Sequence, residues 1–328
     1  MEKRGNMEDL AVVETVAGGR VPSSKKRNRL LYYLGRDRYL YLFLLPALVF
    51  YLVFKYSPLY GELIAFKDFQ IMKGIWNSPW VGLKHFNDLL SSQDFWQVFR
   101  NTMLLNVYKL VFVFPAPIIL ALMLNEVRFN GFKRLIQNLL YLPHFISWVV
   151  LGGVIVAVLS PSTGIINTLL EKGFGIEPVY FMAHSGWWPV VFTFSSIWQS
   201  AGWGTILYLA AMATIDPQLY EAAKIDGASK LRQIWHVTLP GIRPTIAILL
   251  ILQMGQITDV GFEQVYNLQN EAVFGVSDVI STYVYRMGLQ AAQYSYSTAV
   301  GLFQGVIALI LMFAVNKITK AMGENGLW

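Results

Sequence analysis

Apolar residues fall into six uninterrupted runs, at 39–60, 102–124, 139–160, 187–212, 244–262 and 297–316, separated by stretches where charged and turn-forming residues collect. A helix rises about 1.5 Å per residue, so about 20 apolar residues cross the ~30 Å hydrocarbon layer of a membrane. The runs are continuous rather than alternating, which excludes a closed barrel. The pattern predicts an all-α, polytopic membrane protein with six helices in 39–328, behind a polar segment at 1–38.

The interruption at 216–244 reads DPQLYEAAKIDGASKLRQIWHVTLPGIRP. Tyr220 to Asp226 is expected to form a short helix, with Ala222 and Ala223 leaving a face flat enough for close approach by another protein. Gly227 ends it, because glycine accepts the left-handed backbone that closes a helix. Ala228 to Val237 restarts, with Leu231, Ile234 and Trp235 on one stripe. Leu239 and Pro240 are expected to stop this second helix, and Pro244 to stand in the first turn of the next span. A surface hairpin and a DNA-binding helix-turn-helix fit the same pattern, but flanking membrane spans argue against nucleic acid.

The remaining connections differ in character. Residues 61–101 are polar with aromatics at Trp76, Trp80, Phe86, Phe95 and Trp96, as expected of interfacial anchors. Asn125 to Asn138 is amphipathic, with Phe129, Phe132 and Leu135 on one stripe, and is expected to lie along the inner surface. The semi-apolar stretch 263–296 is too long for a structureless loop and is expected to be a helical hairpin on the outer mouth. Gly301 and Gly305 have the GxxxG spacing that lets helices pack closely.

Charge settles orientation. Connections on the N-terminal side carry 18 Lys and Arg against 6 on the other, so both termini and the 216–244 loop are expected in the cytosol. Residues 1–38 lack the early apolar core of a cleavable signal peptide and are expected to be a disordered cytosolic tail. Of the 328 residues, 55% are hydrophobic and 14% charged, too few charges to cover a water-facing surface of that size. The net charge of +6 suits an anionic membrane surface, since nine of the 26 Lys and Arg precede residue 39, beside the first apolar run. Lys55 and Lys109 lie within spans; Lys55 is near an end and can snorkel, whereas Lys109 cannot be dismissed that way.

There is no cysteine, no G-x-x-x-x-G-K-[ST] phosphate loop and no H-E-x-x-H, and the four histidines are scattered. The chain is therefore not expected to be an enzyme, to bind a metal or to bind a nucleotide. Polar and aromatic groups inside spans are costly in lipid and face an interior. They concentrate beside the 216–244 loop: Ser195, Gln199, Ser200 and Trp203 before it, Gln253, Gln256 and Asp259 after it. Amides and hydroxyls suit sugar hydroxyls, and an indole face stacks on a sugar ring. Helix-to-helix hydrogen bonding is the other use open to each. A stand-alone secondary transporter or channel for a small polar solute is the alternative reading, and it would need paired intramembrane carboxylates, for which only Asp259 offers itself.

Glu221, Ala222 and Ala223, then Gly227, then nine residues, then Val237, Thr238, Leu239 and Pro240 resemble the EAA loop of binding-protein-dependent ABC importer permeases; Val237 stands where the pattern usually has isoleucine. The likeness extends from about residue 39 to the end of the chain. It is similar to the LplB-like branch of the sugar permeases through Val81–Phe86, Tyr141–Trp148, Asp259–Gln264 and Gly326–Trp328. The resemblance implies a six-helix type I ABC importer permease in the cell membrane. Glu221, Ala222, Ala223 and Gly227 would couple it to an ATPase dimer, which would bind the ATP and magnesium. It implies a second homologous permease, an extracytoplasmic solute-binding protein, and an oligosaccharide substrate, including uronate-bearing ones of the alginate type. In maltose-type permeases the sugar lies between the corresponding helices, which points to Gln199, Ser200, Trp203, Gln253 and Gln256. Lys109 and His144 would suit an acidic sugar.

Overall fold

A computed structural model describes residues 38–321; the expected N-terminal tail and the terminal Gly326–Trp328 lie outside the described residues. The described residues fall into two compact units that divide after Gly61. Among the described residues all regular structure is helical, apart from one isolated bridge between Lys67 and Trp80. Length and composition qualify four helices as spans: Tyr39–Phe66, Gln93–Glu126, Lys230–Gly255 and Tyr294–Lys317.

Prolines sit inside three of these spans without ending them. Pro58, Pro115 and Pro240 each stand two residues beyond a widened π-type turn, Leu52–Tyr56, Lys109–Val113 and Ile234–Thr238. In each case the residue before the proline donates its N–H five residues back, as Phe114 does to the Lys109 carbonyl at 2.8 Å. Proline lacks an N–H and crowds the carbonyl four residues earlier, and the wider turn relieves both problems at once. The expected stop at Leu239–Pro240 is therefore overturned. One helix runs from Lys230 to Gly255, with Pro244 well inside it, and the span expected to reach 262 ends at Gly255.

The third expected span, 139–160, is broken. Asn130–Phe145 and Trp148–Val158 meet at 104°, because Pro143 opens a 3₁₀ turn and Ile146 and Ser147 are extended. Its first half contains the amphipathic piece expected along the inner surface. The apolar stripe of that piece, Phe129, Phe132 and Leu135, is exposed, and just beyond it the chain meets the middle of the helix Trp188–Ala213, where a Cβ on Gly202 would stand 2.0 Å from the Leu140 carbonyl oxygen.

Trp188–Ala213, with 26 residues, is long enough to cross but does not qualify as a span by composition. Its Thr193, Ser195, Ser196 and Thr205 are buried within the protein, so lipid does not exact the usual penalty. Close packing is carried by Gly202 and Gly204 of this helix, not by the expected pair: a Cβ on Gly301 or Gly305 would meet nothing within 4 Å.

Residues 262–290 form a succession of short helices rather than a hairpin: Phe262–Leu268, Phe274–Ser277 and Ile280–Tyr285 with tighter or wider turns between them. They are core. Val265, Leu268, Val273 and Val279 pack with Leu105, Trp188 and Phe192 in one buried cluster. Phe95, expected as an interfacial anchor, is likewise fully buried, whereas Trp76, Trp80 and Trp96 are exposed. Polar pins hold the stretch: the Asn101 amide donates to the Gly275 and Asp278 carbonyls, each at 3.1 Å, and Thr102 Oγ1 accepts from the Ile280 N–H at 2.9 Å. Asp278, 6% exposed, pairs with Arg286 at 2.6 Å and accepts from the Thr282 hydroxyl at 2.8 Å. Asp278→Ala should cost about 1–2 kcal/mol, since Arg286 keeps access to solvent. A lowered melting temperature in detergent would register this; an unchanged one would mean the pair contributes nothing.

Candidate functional site

The central helix Trp188–Ala213 organises two features at its opposite ends and middle. Near Trp188, the Gln264 amide donates to the Phe192 carbonyl at 2.9 Å and the Ser195 hydroxyl at 3.0 Å, and its oxygen accepts from Ser196 at 2.9 Å. Ser195 is thus consumed in seating the helix Phe262–Leu268.

Below this network lies a cavity of about 550 Å³, lined by Gln199 and Ser200 of the central helix, Gln253 and Gln256, and Lys109, Trp148 and Asp259 among others. The structure brings together four of the five residues expected in a substrate path. Gln253 and Gln256 make no side-chain hydrogen bond among the described residues, and Gln199 makes only a long one, 3.5 Å, to the His144 carbonyl. Gln256 follows the last residue of its helix, and the unwound segment after it is shaped by Asp259, whose Oδ1 accepts from the Gly261 N–H at 2.8 Å, with Gly261 at φ +91°.

Trp203 is the correction. It is not among the residues lining the cavity: its ring stacks on His144 with centroids 4.7 Å apart and planes 4° apart, and Phe145 meets it edge-on. The bend at Pro143 puts His144 there, and the same bend delivers Trp148 to the cavity. Trp148 lines it together with Phe114 and Phe262; its place in the motif Tyr141–Trp148 was visible in the sequence, but its direction was not. Lys109 was legible as a cation inside a span, and it does line the cavity, on the widened turn ahead of Pro115.

At the other end the polar loop folds as one short helix followed by the first turns of the long helix Lys230–Gly255. Pro217–Ile225 begins three residues earlier than expected, capped by Asp216, whose Oδ1 accepts from the Gln218 N–H at 2.9 Å. Gly227, at φ +74°, closes it: the Ala228 N–H reaches the Ala223 carbonyl at 2.8 Å and the Gly227 N–H that of Lys224 at 3.1 Å. Ser229 then caps the long helix beginning at Lys230. Tyr220 and Thr238 join the two halves by a 3.0 Å hydroxyl contact, and Lys230 pairs with Glu126 at 2.8 Å.

Leu231 and Trp235, read with Ile234 as one stripe, are exposed, as are Leu219 and Ile225, whereas Gln233 is buried and donates to the Ala228 carbonyl at 2.9 Å. Glu221 and Ala222 share the exposed surface. Four large apolar side chains are thus exposed together on a polar loop.

Residues 113–323 match the family model described as binding-protein-dependent transport system inner membrane component. Protein LplB of Bacillus subtilis (strain 168) is 48% identical over 295 residues, 90% of this chain and 92% of that protein. The polygalacturonan/rhamnogalacturonan transport system permease protein YteP of the same organism is 46% identical over 304 residues, covering 93% and 94%. A chain of the bacterial alginate ABC transporter, crystallised with its alginate pentasaccharide-bound periplasmic protein, superimposes with a TM-score of 0.84 at 41% identity, covering 91% of this chain and all of that one.

Proposed function

The chain belongs to the binding-protein-dependent transport system inner membrane component family, as a transport permease subunit of a carbohydrate ABC importer and not an enzyme; from that premise we propose that it carries acidic, uronate-bearing oligosaccharides inward. The solute would be delivered by a binding protein and pass through the 550 Å³ cavity. Two ATPase subunits, holding the ATP and magnesium, would drive the cycle through Glu221, Ala222, Ala223 and Gly227. A second permease would complete the path, and the loop would face the cytosol by its excess of Lys and Arg. The stand-alone transporter reading is set aside.

The observation that carries this reading is a cavity whose lining offers the amides of Gln253 and Gln256, neither engaged by another side chain among the described residues, together with an exposed apolar loop at the end of the central helix. Amides open to a cavity suit a hydroxyl-rich guest. Two of the relatives are named for polygalacturonan/rhamnogalacturonan and for alginate, which accords with an acidic cargo.

The test is uptake into proteoliposomes of the assembled transporter, with binding protein and a labelled uronate trisaccharide. Uptake that requires ATP is expected; none, with the complex intact, would remove the proposal. Gln253→Ala and Gln256→Ala should each raise the sugar KM roughly five- to thirtyfold, the worth of one or two hydrogen bonds at about 1 kcal/mol each. Normal KM in the double variant would mean that the sugar takes another route.

A further inference from the structure

Lys109 is the one cation among the residues lining the cavity. Its Nζ donates to the Val260 carbonyl at 2.7 Å, lies 5.7 Å from the centre of the Phe192 ring and pairs with no carboxylate among the described residues. An ammonium carries three donors, so two are left without a protein acceptor. A cation at this depth is normally paired or functional. Its surroundings keep it accessible. The widened turn at Lys109–Val113 displaces it from the regular helical rows, and Gly261 beside it has no side chain: a Cβ there would stand 3.6 Å from the Nζ.

Two acids line the same cavity. Asp259, exposed, accepts from the Gly261 N–H and acts on Lys109 by its charge without a direct ion pair, and Glu263 is exposed, where water screens both. Without Lys109 the lining would repel an anion. The Lys109 ammonium is thus what would let a negatively charged guest enter a cavity otherwise suited to neutral hydroxyls.

We infer that Lys109 is the specificity-determining residue for the sugar carboxylate: it holds the Val260 carbonyl in the empty cavity and donates its free protons to a uronate carboxylate when the sugar arrives. This rests on the acidic-oligosaccharide reading above. Methionine at this position keeps the length of the side chain and removes the charge, whereas arginine keeps the charge.

The experiment compares initial uptake of a trisaccharide of 4-linked uronates with that of its carboxyl-reduced counterpart. Wild type, K109M and K109R transporters are assembled with the same companion subunits and the same binding protein, so a change in the ratio belongs to this chain. Wild type and K109R should prefer the uronate. K109M should lose about tenfold or more in uronate uptake, the scale of one desolvated charge contact, and should retain uptake of the reduced sugar, so that the preference inverts. An unchanged ratio in K109M overturns the inference alone. Equal loss of both sugars, with K109R restoring both equally, also overturns it and makes Lys109 a tie to Val260. Absence of ATP-driven uptake of either sugar by the wild type overturns the acidic-oligosaccharide reading, and this inference with it.

Discussion

Glu221→Arg should reduce ATP-driven uptake roughly a hundredfold, because reversing a charge at a protein contact costs about 2–5 kcal/mol, while leaving the protein at normal level in the membrane. The residue is exposed on Pro217–Ile225 and makes no ion pair among the described residues, so none of those depends on its charge. Its surroundings are exposed apolar groups, Leu219 and Ile225 on the same helix and Leu231 and Trp235 on the next. A partner seated on them would desolvate the carboxylate and make its sign decisive. Gly227→Arg should act on the same step by a different cause. A Cβ at Gly227 meets nothing within 4 Å, so the difficulty is the backbone, held at φ +74°. Left-handed backbone costs an L residue about 1–2 kcal/mol, less for asparagine. Gly227→Asn should therefore keep much of the uptake that Gly227→Arg loses. Uptake assayed alongside co-purification of the ATPase would separate lost docking from lost protein. Normal uptake in Glu221→Arg would end the assignment of this loop as the ATPase contact.

Among the described glycines Gly202 has the shortest contact to an added carbon, and Gly202→Ala should be strongly damaging. The added carbon would stand 2.0 Å from the Leu140 carbonyl oxygen and 2.5 Å from its carbon, both backbone atoms that no rotamer change can move. The broken third span must then shift away from the central helix, at a cost of about 3 kcal/mol or more for overpacking. One turn away, Gln199 reaches the His144 carbonyl, so the cavity wall should shift as well and uptake should fall with stability. Gly301→Ala is the matched control. Open space surrounds it, and alanine favours a helix over glycine by roughly 0.5–1 kcal/mol. Thermal melts in detergent should separate the two variants clearly; similar melting temperatures would mean that the central helix and the third span can part at little cost.

The contrast between Gly202 and Gly301 shows what could be read before the structure. GxxxG spacing at Gly301 and Gly305 is a statement about one helix, and whether a second helix lies against it is a statement about the fold. Trp203 and Trp148 repeat the point. An indole within a span is a reasonable sugar platform, but the bend after Pro143 decides which indole lines the cavity. Pro240 failed as a stop signal for a related reason: the rule assumes a fixed four-residue turn, and a five-residue turn lets the helix continue.

Segment-level properties were determined by the sequence alone. Transfer of apolar runs into lipid depends on local composition, so the helical, membrane-spanning character was legible. So was the closure at Gly227, because its hydrogen bonds run between residues a few positions apart. The faces of the helices were decided only by tertiary structure. Contacts such as Lys109 with Val260, 151 residues apart, or Ser196 with Gln264, 68 apart, arise when separate helices pack. No local periodicity encodes them, because inside a membrane both the buried and the lipid-facing sides of a helix are apolar, and the pattern that separates inside from outside in water is largely erased.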